Sequence, residues 1–365
     1  MNGRRRFILK GATLVAAGAA TAVVDAPGVI AQPKFQWRMS TTWSPALDVL
    51  QGSAQRLARS VEEMSGGRLK IQVFAGGELM PPFGCFDATS QGTIECFMGA
   101  PYYWAGKEAA VQWFSAVPFG FNPQGMMTWY LHGDGLTLWE ETYAHFGIVP
   151  RPGPSTGVQM AGWFRKKINS IGDYKGLKMR IPGLGGKIVA AAGGTVVLTP
   201  GGEIYTALER GVIDSTEWVG PHDDMKLGLH NAAKYYYYPG WHEPGTTSEF
   251  GFNKKAYDTL PAELRSIVDH ACQSIQVSGF MDYEYKNTIA LHKLKTDYKG
   301  KVEILNLSTD TLKALKKLSD QVLKEESDKT YQAKKVYASV NKFSAQLTDW
   351  RLLSEAAYHI QIAPA

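Results

Sequence analysis

The stretch from Tyr174 to Pro221 constrains this 365-residue chain more than any other part of it. It opens on a short alternating strand, Leu177-Lys178-Met179-Arg180-Ile181, and turns through glycines into a helical run from Lys187. Val196-Val197-Leu198 then leads into a second helix carrying Ile204, Tyr205 and Leu208. A third strand, read at Val212–Ile213, delivers Asp214, Glu217 and Trp218. Strands that alternate with helices imply parallel βαβ units. Sheets of that kind bind ligands at the carboxyl ends of their strands. Arg180 and the Glu217–Trp218 pair therefore stand where a small anion and a cation could sit.

The rest of the chain extends the pattern. Phe35–Met39 reads as a strand, Pro45–Met64 as a helix with Leu47, Leu50, Ala54, Leu57 and Val61 at helical spacing, and Arg68–Phe74 as a second strand. A helix over Phe83–Ser90 and a strand over Thr93–Met98 complete a βαβαβ half. Gly147–Pro150 and Gln159–Phe164 read as strands crossing into a second lobe, and Thr247–Asn253 as the return. Pro261 starts a helix reaching at least Ile275, and a strand at Val302–Leu305 follows. From Thr309 a long helical stretch carries Leu312, Leu315, Leu318, Val322, Tyr331, Val336, Val340, Phe343 and Leu347, with a charged break at Glu325–Asp328.

The central run resembles the substrate-binding proteins of tripartite ATP-independent periplasmic (TRAP) transporters. The likeness lies in Gly176-Leu177-Lys178-Met179-Arg180, Glu203-Ile204-Tyr205-Thr206-Ala207-Leu208 and Gly211-Val212-Ile213-Asp214. It extends to Gly77-Glu78-Leu79, Asp87-Ala88 with Gly92-Thr93-Ile94-Glu95, and Phe252-Asn253-Lys254-Lys255. Gln159-Met160, Trp163-Phe164, Glu217–Pro221 and Tyr235–Tyr238 before Pro239-Gly240-Trp241 resemble the branch that binds 2-oxo acids or lactate. The resemblance implies an α/β, two-lobed periplasmic binding protein (type II-like) with a long C-terminal helix. On that reading residues 32–155 with 247–290 form lobe I, and 156–246 with 291–308 form lobe II. Residues 309–365 supply C-terminal helices that span the lobes and dimerise.

The first 31 residues read as a targeting segment. Arg4-Arg5-Arg6 and Lys10 form a basic start, Gly11–Val24 an apolar stretch too short to span a membrane, and Val29-Ile30-Ala31 a cleavage site before Gln32. The arginines followed by Phe7-Ile8 fit a twin-arginine signal, although Gly3 stands where Ser or Thr is usual, and a Sec signal is the other reading. The location expected is the periplasm. The segment holds four basic residues and one acid, so its removal takes the formal charge from +5 to +2. No basic stripe suggests nucleic acid as a partner. Cys85, Cys96 and Cys272 are an odd set for an exported protein, leaving at least one unpaired within the chain.

The candidate site can be argued from side-chain chemistry. The Arg180 guanidinium is a planar fork that matches a carboxylate with two parallel hydrogen bonds. Glu217 and Glu243 each follow an apolar strand, and two carboxylates beside an organic anion would repel it unless a cation lay between them. Gln159 adds an amide oxygen and the Trp218 carbonyl another, and an all-oxygen set suits Na⁺ or Ca²⁺. The resemblance implies the same four, Gln159, Glu217, Trp218 and Glu243, as cation ligands, although His242 and Pro244 beside Glu243 depart from the branch. Tyr102, Tyr103 and Trp104, with Trp163 and Phe164, are candidates to wall the pocket. Tyr235–Tyr238 reads as strand and core.

Catalytic signatures are missing. Ile188 breaks both the dinucleotide and the phosphate-loop patterns, His242-Glu243 lacks a second zinc-protease histidine, and no Ser-His-Asp elbow is visible. The function expected is capture of a small 2-oxo or 2-hydroxy monocarboxylate (pyruvate or lactate class) with a metal ion, and its delivery to a TRAP membrane permease by a homodimeric receptor. A ligand-sensing protein and a metal-dependent carboxylate enzyme are the competing readings.

Overall fold

The computed structural model describes residues 34–362, so the targeting segment lies outside the described residues. Among the described residues eleven strands form two sheets. The first has the order β2-β1-β3-β10-β4, from Leu69–Phe74, Phe35–Thr41, Cys96–Gly99, Thr246–Asn253 and Ile148–Gly157. The second has the order β11-β9-β5-β8-β6-β7, from Glu303–Asn306, Tyr235–Tyr238, Gly162–Phe164, Ser215–Thr216, Lys178–Arg180 and Thr195–Val197. Each contains one reversed strand: β10 runs antiparallel to β3 and β4, and β5 to β8 and β9.

Helices α1 (Leu50–Met64) and α2 (Cys85–Ser90) link the first three strands. Then come α3 (Pro123–His132) and α4 (Gly135–Tyr143) before β4, and α5 (Gly183–Ala191), α6 (Gly201–Glu209), α7 (Pro221–Lys226) and α8 (Leu229–Ala232) around the second sheet. After β10 follow α9 (Lys254–Thr259) and the 35-residue α10 (Ala262–Thr296), then α11 (Thr309–Ser327), α12 (Tyr331–Arg351) and α13 (Ala357–Gln361). Among the described residues no helix is long and apolar enough to cross a membrane.

The mixed α/β architecture matches the expectation, with local corrections. The strand that precedes Glu217 is Ser215–Thr216, not Val212–Ile213: Val212 is 64% exposed in the turn after Gly211, and only three residues later, at Ser215, does the chain enter the sheet beside Met179 and Arg180. Asp214 stays outside, accepting a hydrogen bond from the Lys178 amide at 3.0 Å. Helix α1 begins at Leu50 rather than Pro45, because Trp43, Leu47 and Val49 all turn inward in the loop before it. Strand β3 begins at Cys96 rather than Thr93. The three thiols are free and buried.

The charged break at Glu325–Asp328 divides the C-terminal stretch into α11 and α12. Glu326 is buried there, within 3.1 Å of Lys187 and 2.6 Å of Lys329. The stripe beyond the break does not wait for a second subunit. Val336 and Val340 are buried, and Tyr337, Phe343 and Leu347 pack with them on an aromatic core that holds Trp113, Trp129 and Trp139. Tyr331, placed on the stripe by its spacing, is exposed.

Two short connections carry the chain between the sheets. Four residues, Val158–Ala161, join β4 to β5, and seven, Pro239–Gly245, join β9 to β10. They lie side by side: the Gln159 amide donates to the Glu243 carbonyl at 3.2 Å and the Ala161 amide to the Tyr237 carbonyl at 2.8 Å. The approach is so close that a Cβ on Gly240 would stand 2.1 Å from the Gln159 carbonyl oxygen. Gly240→Ala must therefore push the connections apart, at a cost of about 1–3 kcal/mol. A thermal melt of this variant should show a clear loss of stability; an unchanged melting temperature would contradict the close contact.

Candidate functional site

The site is built where these connections meet the strand ends. Arg180 is the last residue of β6 and is 1% exposed. Its Nη1 donates to Glu217 Oε1 at 2.6 Å and its Nε to the Thr199 carbonyl at 3.2 Å. Its guanidinium lies over the Trp218 ring, 5.1 Å from the centroid. Nη2 is buried without a partner.

Glu217 follows β8 and is fully buried. Burial pushes its carboxyl up to about 7 even though the Arg180 guanidinium works the other way. Glu243, in the second connection, is pushed up to about 8, by burial first and by Glu217 next. Its Oε2 accepts from Thr246 Oγ1 at 2.6 Å and from the Tyr102 hydroxyl at 3.5 Å. Beside the two acids lies His242, its Nε2 3.4 Å from Glu217 Oε2, with burial pulling the imidazole down to about 4. Ligating atoms of Glu217, His242 and Glu243 all fall within 4.8 Å of one another.

Gln159 completes this face. Its Nε2 donates to Thr156 Oγ1 at 2.9 Å and to Thr246 Oγ1 at 3.3 Å, so Thr246 joins the amide to Glu243. Those bonds turn Oε1 the other way, buried and unpartnered. Gln159, Arg180, Trp218, Tyr102 and Tyr103 line one cavity of about 20 Å³, with Trp43 and Thr156. So small a space lies far below the roughly 300–1,000 Å³ of pockets for drug-sized ligands.

The structure thus brings together Arg180, Gln159, Tyr102, Tyr103, Trp218, Glu217 and Glu243. Other candidates fall elsewhere. Trp163 stacks on Tyr236 at 4.0 Å and donates to Asp224 at 2.9 Å, in the core beneath the site, and Phe164 packs against Tyr237. Trp104 donates to buried Glu249 at 2.5 Å. Residues missed in the sequence are Trp43, Thr156 and Thr246. Trp43 follows the carboxyl end of β1, so the strand-end rule that found Arg180 would have found it. Thr156 and Thr246 carry no such signal, since their roles depend on the pairing of β4 with β10.

The donor set fits a cation. Two buried carboxyls, an orphaned amide oxygen and one guanidinium make a largely oxygen-lined site that is net negative once both carboxyls ionise, the kind that hard cations fill. Gln159, Glu217 and Glu243 would hold such an ion, with the main-chain oxygen of Trp218 as the remaining candidate.

Comparison with known proteins agrees with this geometry. Residues 39–330 match the family model described as bacterial extracellular solute-binding protein, family 7 (DctP). A monocarboxylate 2-oxoacid-binding periplasmic protein of Nostoc sp. is 42% identical over 89% of this chain and 88% of its own length. A TRAP periplasmic solute-binding protein of Pseudoalteromonas atlantica, solved with bound sodium and pyruvate, is 37% identical with a TM-score of 0.88, covering 90% of this chain and 100% of that one. Its counterpart from Colwellia psychrerythraea, with bound calcium and pyruvate, is also 37% identical, with a TM-score of 0.87 and the same coverage of both chains. A third, from Bordetella bronchiseptica, is 36% identical with a TM-score of 0.87 over 90% of this chain and 96% of that one; it is described as a dimer with calcium and picolinate in one active site. With four-fifths of its length matched and a relative above 40% identity, this chain belongs to the DctP family of bacterial extracellular solute-binding proteins, which are periplasmic receptors and not enzymes.

Proposed function

We propose that the protein is the receptor of a TRAP transporter that captures a small 2-oxo or 2-hydroxy monocarboxylate, of the pyruvate or lactate class, together with Na⁺ or Ca²⁺. One observation carries the reading. A fully buried donor, Arg180 Nη2, and a fully buried acceptor, Gln159 Oε1, both lack partners, and their residues line the same small cavity. An unmade buried hydrogen bond costs about 1–3 kcal/mol. A carboxylate answers the first and a cation the second, and one bound pair answers both.

The residues divide the work. Arg180, stacked on Trp218 and steered by Glu217, receives the ligand carboxylate. Glu217, Glu243 and Gln159 hold the cation, and the 2-oxo or 2-hydroxy oxygen of the ligand completes its shell. Tyr102 and Tyr103 keep their phenol protons, since burial pushes Tyr102 well up and Tyr103 to about 12, so both can donate. Charge favours Ca²⁺, because two carboxylates against one guanidinium and one ligand anion leave two negative charges to balance. Pyruvate binds with either ion in the two relatives.

On this reading residues 32–155 with 247–290 form one lobe and 156–246 with 291–308 the other, a division that the presence of two separate sheets supports. The ligand touches both and so favours their closure. The closed form then docks on the permease. The far C-terminal segment adds a second partner. Trp350, Leu353 and Ile360 are 68%, 79% and 82% exposed, in a chain whose upstream stripe is already covered. A second copy would bury them under two-fold symmetry.

Removal of the Arg180 guanidinium should cost about 2–5 kcal/mol of pyruvate affinity, the usual loss when one partner of a buried charge pair goes. Arg180→Lys should lose most of it as well, because the fork geometry is gone. Calorimetry on both variants decides, and wild-type affinity in Arg180→Ala would remove this residue from the site.

Chelation of Ca²⁺ in Na⁺-free buffer should abolish pyruvate binding, and Glu217→Gln should weaken ion and carboxylate together, since each completes the other's contacts. Carboxylate binding that survives full removal of both ions would sink the cation bridge.

Light scattering on the mature protein should give the mass of two chains, and truncation after Leu347 the mass of one. A full-length protein of single-chain mass at micromolar concentration would refute the dimer.

A further inference from the structure

A second group of ligating side chains lies outside the cleft. Asp48 stands between β1 and α1, and His222 and Asp223 open α7 after β8. One ligating atom from each of the three falls within 4.8 Å of the others. His222 Nε2 is 2.7 Å from Asp48 Oδ1. Asp223 is fully buried; its Oδ2 accepts from the Tyr283 hydroxyl at 2.7 Å, and its Oδ1 has no partner. Lys286 takes the other oxygen of Asp48, Oδ2, at 3.2 Å, and lies 3.8 Å from Asp282.

A buried carboxylate oxygen with no donor is as costly as a lost hydrogen bond and calls for a counter-group. The ammonium of Lys286 is spent on Asp48 and Asp282. Two carboxylates with one imidazole form a mixed oxygen and nitrogen set. Calcium and magnesium prefer oxygen alone, whereas imidazole suits zinc and its first-row neighbours.

We propose that Asp48, His222 and Asp223 form a second metal site, for a first-row transition dication such as Zn²⁺, separate from the Glu217–Glu243 site. The ion takes the place of the proton between His222 and Asp48, and water completes its shell on the open side. Binding therefore releases a proton whenever the imidazole nitrogen carries one. The nearby Lys286 charge makes the site weaker than a closed structural zinc site. Asp48 comes from the chain that builds the first sheet and the other two ligands from the chain that builds the second. A bound ion consequently ties the two together and stabilises the arrangement in which they meet.

The test is calorimetric titration of Zn²⁺ into chelator-stripped mature protein in excess Ca²⁺, for wild type, His222→Gln, Asp223→Asn and Glu217→Gln. One Zn²⁺ per chain is expected in wild type and in Glu217→Gln, with affinity at least tenfold weaker in His222→Gln and Asp223→Asn. Co²⁺ should give visible absorption bands that vanish in the same two variants, and Zn²⁺ should raise the melting temperature of wild type but not of His222→Gln. Asp223 is buried and its variant can fail to fold; His222 is partly open, and its variant keeps the test decisive. No Zn²⁺ binding in wild type, or equal affinity in wild type and His222→Gln, overturns the proposal. So does loss of Zn²⁺ in Glu217→Gln with retention in His222→Gln, which would place the ion in the cleft.

Discussion

The face of the site that carries Gln159 and Glu243 depends on the pairing of the two short connections between the sheets. Val158–Ala161 and Pro239–Gly245 run alongside each other, close enough that only a glycine fits at position 240. One connection carries Gln159 and the other carries His242 and Glu243. The segment that moves the chain from sheet to sheet is thereby also the segment that carries two of the proposed cation ligands, Gln159 and Glu243. Thr246, the first residue of β10, locks the two by bonding both Gln159 and Glu243. A change in how the sheets sit must therefore be felt at these ligands, which is the coupling a receptor needs between binding and closure.

The second sheet supplies the opposite charge. Arg180 ends β6 and Glu217 follows β8, neighbours in the parallel ladder, so the buried ion pair between them is set by strand register. Buried pairs are weak sources of stability because desolvation offsets their attraction. Their value here is orientation. Glu217 and the Thr199 carbonyl hold two nitrogens of the guanidinium, Trp218 lies against it, and the remaining nitrogen, on a residue that lines the cavity, is left without a partner. Beneath them, Asp224 gathers Trp163, Tyr236 and the amides of Val219 and Gly220, which holds the backbone that follows Trp218 in place.

Much of this was legible in the amino-acid sequence. Alternating strand and helix periods require parallel units, and parallel units put their ligands at carboxyl ends, so Arg180, Glu217 and Trp218 could be named from local pattern taken together with the family resemblance. The fold class follows from the same periods, and the absence of nucleotide, phosphate and zinc-protease motifs could be read directly. Short strands were less legible. Val212–Ile213 has a better strand composition than Ser215–Thr216, yet the turn at Gly211 runs on through it, and tertiary pairing with β6 selects the poorer segment. The C-terminal stripe was visible as a stripe, but its partner was not.

What the sequence by itself determined is therefore local: which residues can bear charge or donate, which segments alternate, and where strands end. The tertiary structure decided which of those residues meet. It sent Trp163 and Trp104 to cores while Tyr102 and Tyr103 lined the cavity, it set His242 against Glu217, and it left Arg180 Nη2 and Gln159 Oε1 without partners on residues that line the same small cavity. The physical reason is that side-chain chemistry is a property of one residue, whereas an unmet hydrogen bond is a property of everything packed around it.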